Sequence, residues 1–249
     1  MKTVLITGAT SGIGRATAEI LAEKEYRLII CGRRADRLQE IAKKLNRKTE
    51  VFTLCFDISK RQEVQNAFLS LPENYRDIDI LINNAGNAHG LSAIQDGDLD
   101  DWESMIDINI KGLLYITKEI LPGMIERNEG HIINLGSVAG KEVYPMGNVY
   151  CASKFAVDAI NRALRIDLNE YGIRVGAVNP GLVETEFSLV RFKGDEDRAK
   201  AVYKGYKPLK PEDVAEIISF MIHMPPHVNI ADLTVFPSAQ AAPGILRKK

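Results

Sequence analysis

The sequence has no surplus of charge: 32 lysines and arginines stand against 33 aspartates and glutamates, a formal net charge of −1. The two signs are interspersed, so neither nucleic acid nor an anionic membrane is expected as a partner. Long apolar runs are missing too. The N-terminal MKTVLITGATSGIG has one lysine and a short apolar stretch before glycines intervene, the pattern neither of a secretory signal nor of a membrane span. Cysteine is scarce. Cys31, Cys55 and Cys151 are an odd number without metal-ligand spacing, and reduced thiols in a cytoplasmic protein are the natural reading. No linker, repeat or low-complexity tract divides the 249 residues. A single large domain with a sizeable core follows.

What is present is a regular alternation. Short β-branched runs (TVLIT, RLIIC, EVFTLCF, DIDILIN, HIINL, IRVGAVNP and ADLTVFP) are separated mostly by longer segments of helical period such as RADRLQEIAKKL and PEDVAEIISFMI. Strands apolar on both faces and joined by helices predict an α/β fold, a doubly wound parallel sheet covered on both sides. Ligands of such sheets bind beyond the carboxyl ends of the strands, so the residues just after each strand carry the chemistry.

The first strand is followed by TGATSGIG, with Gly8, Gly12 and Gly14 ahead of a helical stretch. Glycines let the backbone turn tightly against a pyrophosphate, and the helix N-terminus supplies amide donors. The G-x-x-x-G-x-G spacing differs from the common dinucleotide fingerprint, and no Gly-Lys-Ser/Thr follows to make a Walker loop. At the end of the second strand, where an NAD-selective fold places an acid, the sequence reads CGRR. Arg33 and Arg34 suit a ribose phosphate, which favours NADP over NAD.

Residues 148–155 read NVYCASKF. On a helix, Tyr150 and Lys154 lie one above the other, and a neighbouring ammonium is expected to favour the phenolate and lower the tyrosine's pKa. The spacing by itself also fits a core tyrosine beside a solvated lysine. Cys151 reads as small apolar packing. No metal is expected. The alternating acids of DGDLDDWESMID lack the glycine and glutamate of a calcium loop and read as acids at a helix N-terminus, while His223 and His227 have Pro225 and Pro226 between them.

Taken together, the three glycines, NNAG at 83–86, Asn109, Ser137, Tyr150, Lys154 and the Pro180-Gly181 pair resemble the short-chain dehydrogenase/reductases. The resemblance implies a Rossmann fold and a catalytic tetrad of Asn109, Ser137, Tyr150 and Lys154. In it Tyr150 exchanges a proton with the substrate oxygen, and Lys154 lowers its pKa and bonds the nicotinamide ribose. Ser137 hydrogen-bonds the substrate oxygen, and Asn109 holds a water in a relay with Lys154. It further implies cofactor contacts from Gly8, Thr10, Ser11, Gly12, Ile13 and Gly14, from Asp57 and Ile58 at the adenine, from Asn84, Ala85 and Gly86 at the ribose and phosphates, and from Pro180, Gly181, Val183 and Thr185 over the nicotinamide. Residues 186–207 are expected to form a substrate lid.

The C-terminal third resembles one branch, the NADP-dependent 3-hydroxy acid dehydrogenases, which act on serine, allo-threonine or malonic semialdehyde. Within the lid, Arg191 and Lys193 form a basic cluster from which Arg191 could meet a substrate carboxylate. Reduction of bulkier carbonyl compounds on the same tetrad, or NADP(H) sensing without turnover, are the alternatives. The helical FAVDAINRALRIDL carries Phe155, Val157, Ile160, Leu164 and Ile166 over more of its circumference than one sheet contact needs, and the resemblance implies a homotetramer built partly on it and on the helix of Asn109.

Overall fold

Each β-branched run forms a strand, and alternate residues of each strand face opposite helical layers. The computed structural model describes residues 1–248. In chain order the first half comprises β1 (Lys2–Ile6), α1 (Gly12–Leu21), β2 (Tyr26–Gly32), α2 (Ala35–Leu45), β3 (Val51–Cys55), α3 (Arg61–Leu69), β4 (Ile80–Asn83) and α4 (Leu99–Ile106). A π-helical turn (Asp107–Gly112) joins α4 to α5 (Leu113–Arg127), followed by β5 (Gly130–Leu135), α6 (Asn148–Asp167) and β6 (Ile173–Pro180). The remainder is α7 (Phe187–Arg191), α8 (Glu196–Ala201), α9 (Pro211–Ile222), β7 (Asp232–Val235) and a hairpin of β8 (Gln240–Ala242) with β9 (Ile245–Leu246).

The main sheet is parallel throughout, in the order β3-β2-β1-β4-β5-β6-β7. All seven expected strands are in it. On one face Val4, Ile6, Leu28, Ile30 and Ile82 pack against Leu21 of α1, Leu38 and Ile41 of α2 and Ile218 of α9. On the other, Leu5, Ile29, Leu81 and Ile132 pack against Val64 of α3 and Ile116 and Ile120 of α5. Each such side chain, buried completely, contributes roughly 1.5–3 kcal/mol of transfer free energy. The strand order reverses between β1 and β4, so the crevice of the doubly wound fold opens above those two strands.

Candidate active site

The loop after β1 runs through Gly8 and Gly12 at φ of 67° and 53°, left-handed values that a side chain would strain. Asn84, just beyond β4, ties this loop to its neighbour: its Nδ2 donates to the carbonyls of Thr7 (2.8 Å) and Gly8 (3.3 Å), while Thr7 Oγ1 accepts from the amides of Asn84 and Ala85, both at 2.9 Å. The crevice is thus stitched together at the point where the sheet order reverses.

Above it lies a cavity of about 550 Å³, within the range of small-molecule sites. Gly8, Thr10, Ser11, Gly12, Ile13, Arg33, Arg34, Ile58, Asn84, Ala85, Gly86, Ser137, Tyr150, Lys154, Pro180, Gly181, Val183, Thr185 and Arg191 all line it. Three of the expected site residues stand behind its wall. Gly14 packs against Gly8 and Asn84. Asp57 lies 3.7 Å from Arg33; burial opposes its ionisation, but hydrogen bonds from Ser59 and the charges of Arg33 and Lys60 prevail and hold the carboxyl below its usual range. Asn109 sits under Gly86, where an added Cβ would come within 3.1 Å of its Oδ1.

The two arginines after β2 are not equivalent. Arg34 is braced: its Nε and Nη2 donate to Thr10 Oγ1 at 3.1 and 2.7 Å, Nη2 also to Ser11 Oγ at 2.8 Å, and Nη1 to Glu186 Oε2 at 2.9 Å. Among the described residues Arg33, 61% exposed in its side chain, has only the long pair with Asp57 and is the freer cation. Gly32 leaves room at the strand end for Thr10, whose Cγ2 lies 2.7 Å from where a Cβ would stand.

Tyr150 enters from the first turn of α6 and Lys154 from the next, both buried. The protonation expected from their spacing is not what the structure shows. Burial raises the tyrosine's pKa, with Tyr144 adding to it, and this outweighs the opposing pull of the Ser137 hydroxyl and the Arg191 charge. Burial likewise pushes Lys154 down to about 8, and its ammonium donates to the carbonyl of Leu135 at 2.9 Å. Desolvation penalises the charged form of both groups and is the largest cause at each. Asn109 lies within the π-helical turn, a distortion frequent at functional sites. Its Oδ1 accepts from Asn87 N (2.8 Å), and its Nδ2 donates to Asn87 O (2.9 Å) and Ser153 Oγ (3.0 Å).

The basic pair of the 186–207 segment is split. Arg191 reaches the cavity, its Nε donating to Gly90 O at 3.1 Å and its Nη1 to Tyr144 Oη at 2.9 Å, and its guanidinium carbon lies 5.5 Å from the ring centre of Tyr150. Lys193 instead pairs with Asp101 at 3.0 Å and Asp98 at 3.3 Å, outside the cavity lining. Asp98 also caps α4, accepting from Asp100 N at 2.9 Å, as expected of acids at that helix start. Among the described residues no group of three or more His, Cys, Asp or Glu is placed to hold a metal ion.

Several wall residues carried no signal in the sequence. Phe187 packs on Tyr150 with ring centres 5.6 Å apart, and Tyr144, Pro145, Tyr203 and Gln240 also line the cavity.

The family model of the short chain dehydrogenases matches residues 2–195. The chain belongs to that family. As a short chain dehydrogenase it is 44% identical over 243 residues to the NADP-dependent 3-hydroxy acid dehydrogenase YdfG of Salmonella typhi, covering 97% of each chain. It is 47% identical to sulfoacetaldehyde reductase 2 of Chromohalobacter salexigens, covering 96% of this chain and 95% of that one. Among solved structures, the closed form of serine dehydrogenase complexed with NADP+ superposes with a TM-score of 0.93 at 43% identity, over 99% of both chains. The short chain dehydrogenase fold and its oxidoreductase class are therefore those read from the sequence.

Proposed function

We propose that this short chain dehydrogenase transfers a hydride between NADP(H) and the third carbon of a small 3-hydroxy or 3-oxo acid of the serine, allo-threonine or 3-hydroxypropionate type. The observation that carries the reading is the guanidinium of Arg191, 5.5 Å from the Tyr150 ring centre. A carboxylate on the one is then a short carbon chain away from a hydroxyl on the other. Arginine has five N–H donors, and two bonds of Arg191 hold it to Gly90 and Tyr144, so donors remain for the acid group. The names of two relatives, the 3-hydroxy acid dehydrogenase and the serine dehydrogenase, point the same way.

The cavity fits the cofactor: two glycines with positive φ at a helix start, an exposed arginine at the ribose-phosphate end and a volume suited to a dinucleotide with a small substrate. NADP(H), when bound, supplies the hydride acceptor or donor. Loop 8–14 and the N-terminus of α1 receive the pyrophosphate, Arg33 and Arg34 the ribose phosphate, Asp57 and Ile58 the adenine, and Pro180, Gly181, Val183 and Thr185 flank the nicotinamide. Tyr150 exchanges the proton with the substrate oxygen while Ser137 donates a hydrogen bond to it, a fixed donor where charge develops. Lys154 favours the phenolate as it forms and bonds the nicotinamide ribose. Asn109, by holding Asn87 and Ser153, shapes the wall through which the proton relay runs. Residues 186–207 act as the lid. The enzyme works in the cytoplasm, where its free cysteines, Cys55 exposed among them, stay reduced. It assembles as a homotetramer over exposed apolar residues of the α4–α5 segment and α6, Ile106, Leu114, Phe155 and Ile166.

The test is Tyr150→Phe. Turnover should fall at least about a hundredfold, the lower end of what a positioned acid/base group contributes, while NADPH binding measured by fluorescence stays near wild type. A variant keeping more than about a tenth of the activity would remove Tyr150 from the proton transfer.

A further inference from the structure

Glu186 opens the proposed lid, and its carboxylate turns to the arginines that follow β2. It bridges two arginines: Oε2 accepts from Arg34 Nη1 at 2.9 Å and Oε1 from Arg37 Nη1 at 2.7 Å. Arg34 is fixed in turn by Thr10 and Ser11 of the glycine loop. Burial opposes the ionisation of Glu186, but the hydrogen bonds from both arginines outweigh it and hold the carboxyl below its usual range. Downstream the connection is direct. Thr185 Oγ1 accepts from the amide of Phe187 at 3.1 Å, and the Phe187 ring packs against that of Tyr150, tilted by 60° with ring centres 5.6 Å apart. Arg191 ends the same five-residue helix. A helix this short moves as one piece, so whatever fixes its first residue also aims its last.

We propose that Glu186 is a positioning residue: by clasping Arg34 and Arg37 it sets the lid, and with it Phe187 and Arg191, over Tyr150, so that an arginine facing the ribose-phosphate site also governs substrate affinity. The link to substrate rests on the functional reading above; the clasp itself does not. Arg37 lies outside the cavity lining, so it can be changed without touching the cofactor site. Removing the carboxylate should not weaken cofactor binding, because Glu186 competes with a phosphate for Arg34.

The experiment compares Glu186→Gln, Arg37→Gln and the double variant by hydrogen exchange of the free full-length protein, NADPH titration and steady-state kinetics. Half-exposed ion pairs are individually modest, so exchange across residues 187–207 should rise about 1.5- to fivefold in each single variant, and the double should not exceed the larger single. KM for serine or 3-hydroxypropionate should rise by a similar factor, while the NADPH dissociation constant of Glu186→Gln stays within about twofold of wild type or tightens. Unchanged exchange in the lid, or effects that multiply in the double variant, would overturn the clasp whatever the enzyme's substrate. A loss of NADPH affinity parallel to the rise in KM would also overturn it, since that marks general damage. A wild-type protein that turns over neither acid contradicts the functional reading alone and leaves the exchange result to decide the clasp.

Discussion

Replacing Arg191 by alanine separates acid recognition from hydride transfer. The side chain is held by the carbonyl of Gly90 and the hydroxyl of Tyr144, and it covers the ring faces of Tyr144 and Tyr150 at 5.6 and 5.5 Å. A guanidinium fixed on two sides presents its remaining donors without further ordering cost. A hydrogen bond to a charged group contributes about 1.5–3 kcal/mol, so kcat/KM for a small 3-hydroxy acid should fall roughly 10- to 150-fold, mostly through KM. Neutral alcohols and ketones, with no carboxylate to lose, should change less than about threefold. A second readout follows from electrostatics. Arg191 is one of the groups opposing the burial that raises the Tyr150 pKa, so without it the pH limb governed by this tyrosine moves to higher pH. Arg191→Lys keeps the charge but not the fork and should fall between alanine and wild type. The assay is initial-rate kinetics across pH with paired acid and neutral substrates; equal losses for both classes would refute the assignment.

Uncharged residues at both Arg33 and Arg34 should weaken NADP binding at least about tenfold more than NAD binding. Arg33 alone should account for most of this, because Arg34 is already engaged by Thr10, Ser11 and Glu186; equal losses for the two cofactors in a fluorescence titration would contradict it. His131 is held neutral in the fold down to about 3, by burial first and by the charges of Arg174 and Lys2 after it, against 6.5 for the free side chain. Between those values the unfolded chain binds more protons, so stability should fall as pH drops through that window, by roughly 2 kcal/mol at pH 5. His131→Val should flatten this acid limb in urea unfolding, and an unaltered slope would count against the histidine. Light scattering at micromolar concentration should give the mass of a tetramer, and Ile166→Asp, at a side chain 73% exposed, should shift it toward smaller species; a wild-type monomer would remove the assembly.

The sheet was legible because its central strands are buried on both faces, so each appears as an uninterrupted apolar run such as Leu28 to Cys31. The β8–β9 hairpin was not, since strands of three and two residues have no room for a period. The Tyr150–Lys154 pair could be read because i,i+4 spacing fixes which way side chains point. Their protonation could not, because it depends on how much water the fold removes, and burial dominates both groups. Asn109 was expected on a helix, and the chain there widens into a π-helical turn that sequence periodicity does not mark. Nothing local separates Arg191, which lines the cavity, from Lys193, which pairs with Asp98 and Asp101. Nor does anything local join Arg37 to Glu186, 149 residues away. Tertiary structure alone brings those charges together.

The proposed function requires one cavity to combine a phosphate-reading cofactor end with an acid-reading substrate end around Tyr150. Initial rates of the purified protein with NADP+ and with NAD+, across small 3-hydroxy acids and bulky neutral alcohols, and in the reverse direction with NADPH and the corresponding carbonyls, test it most directly. Steady turnover of at least one small 3-hydroxy acid or its 3-oxo partner is expected, with NADP(H) preferred over NAD(H) by about tenfold or more. Activity confined to bulky neutral compounds, or tight NADPH binding with no turnover of any substrate, would contradict it.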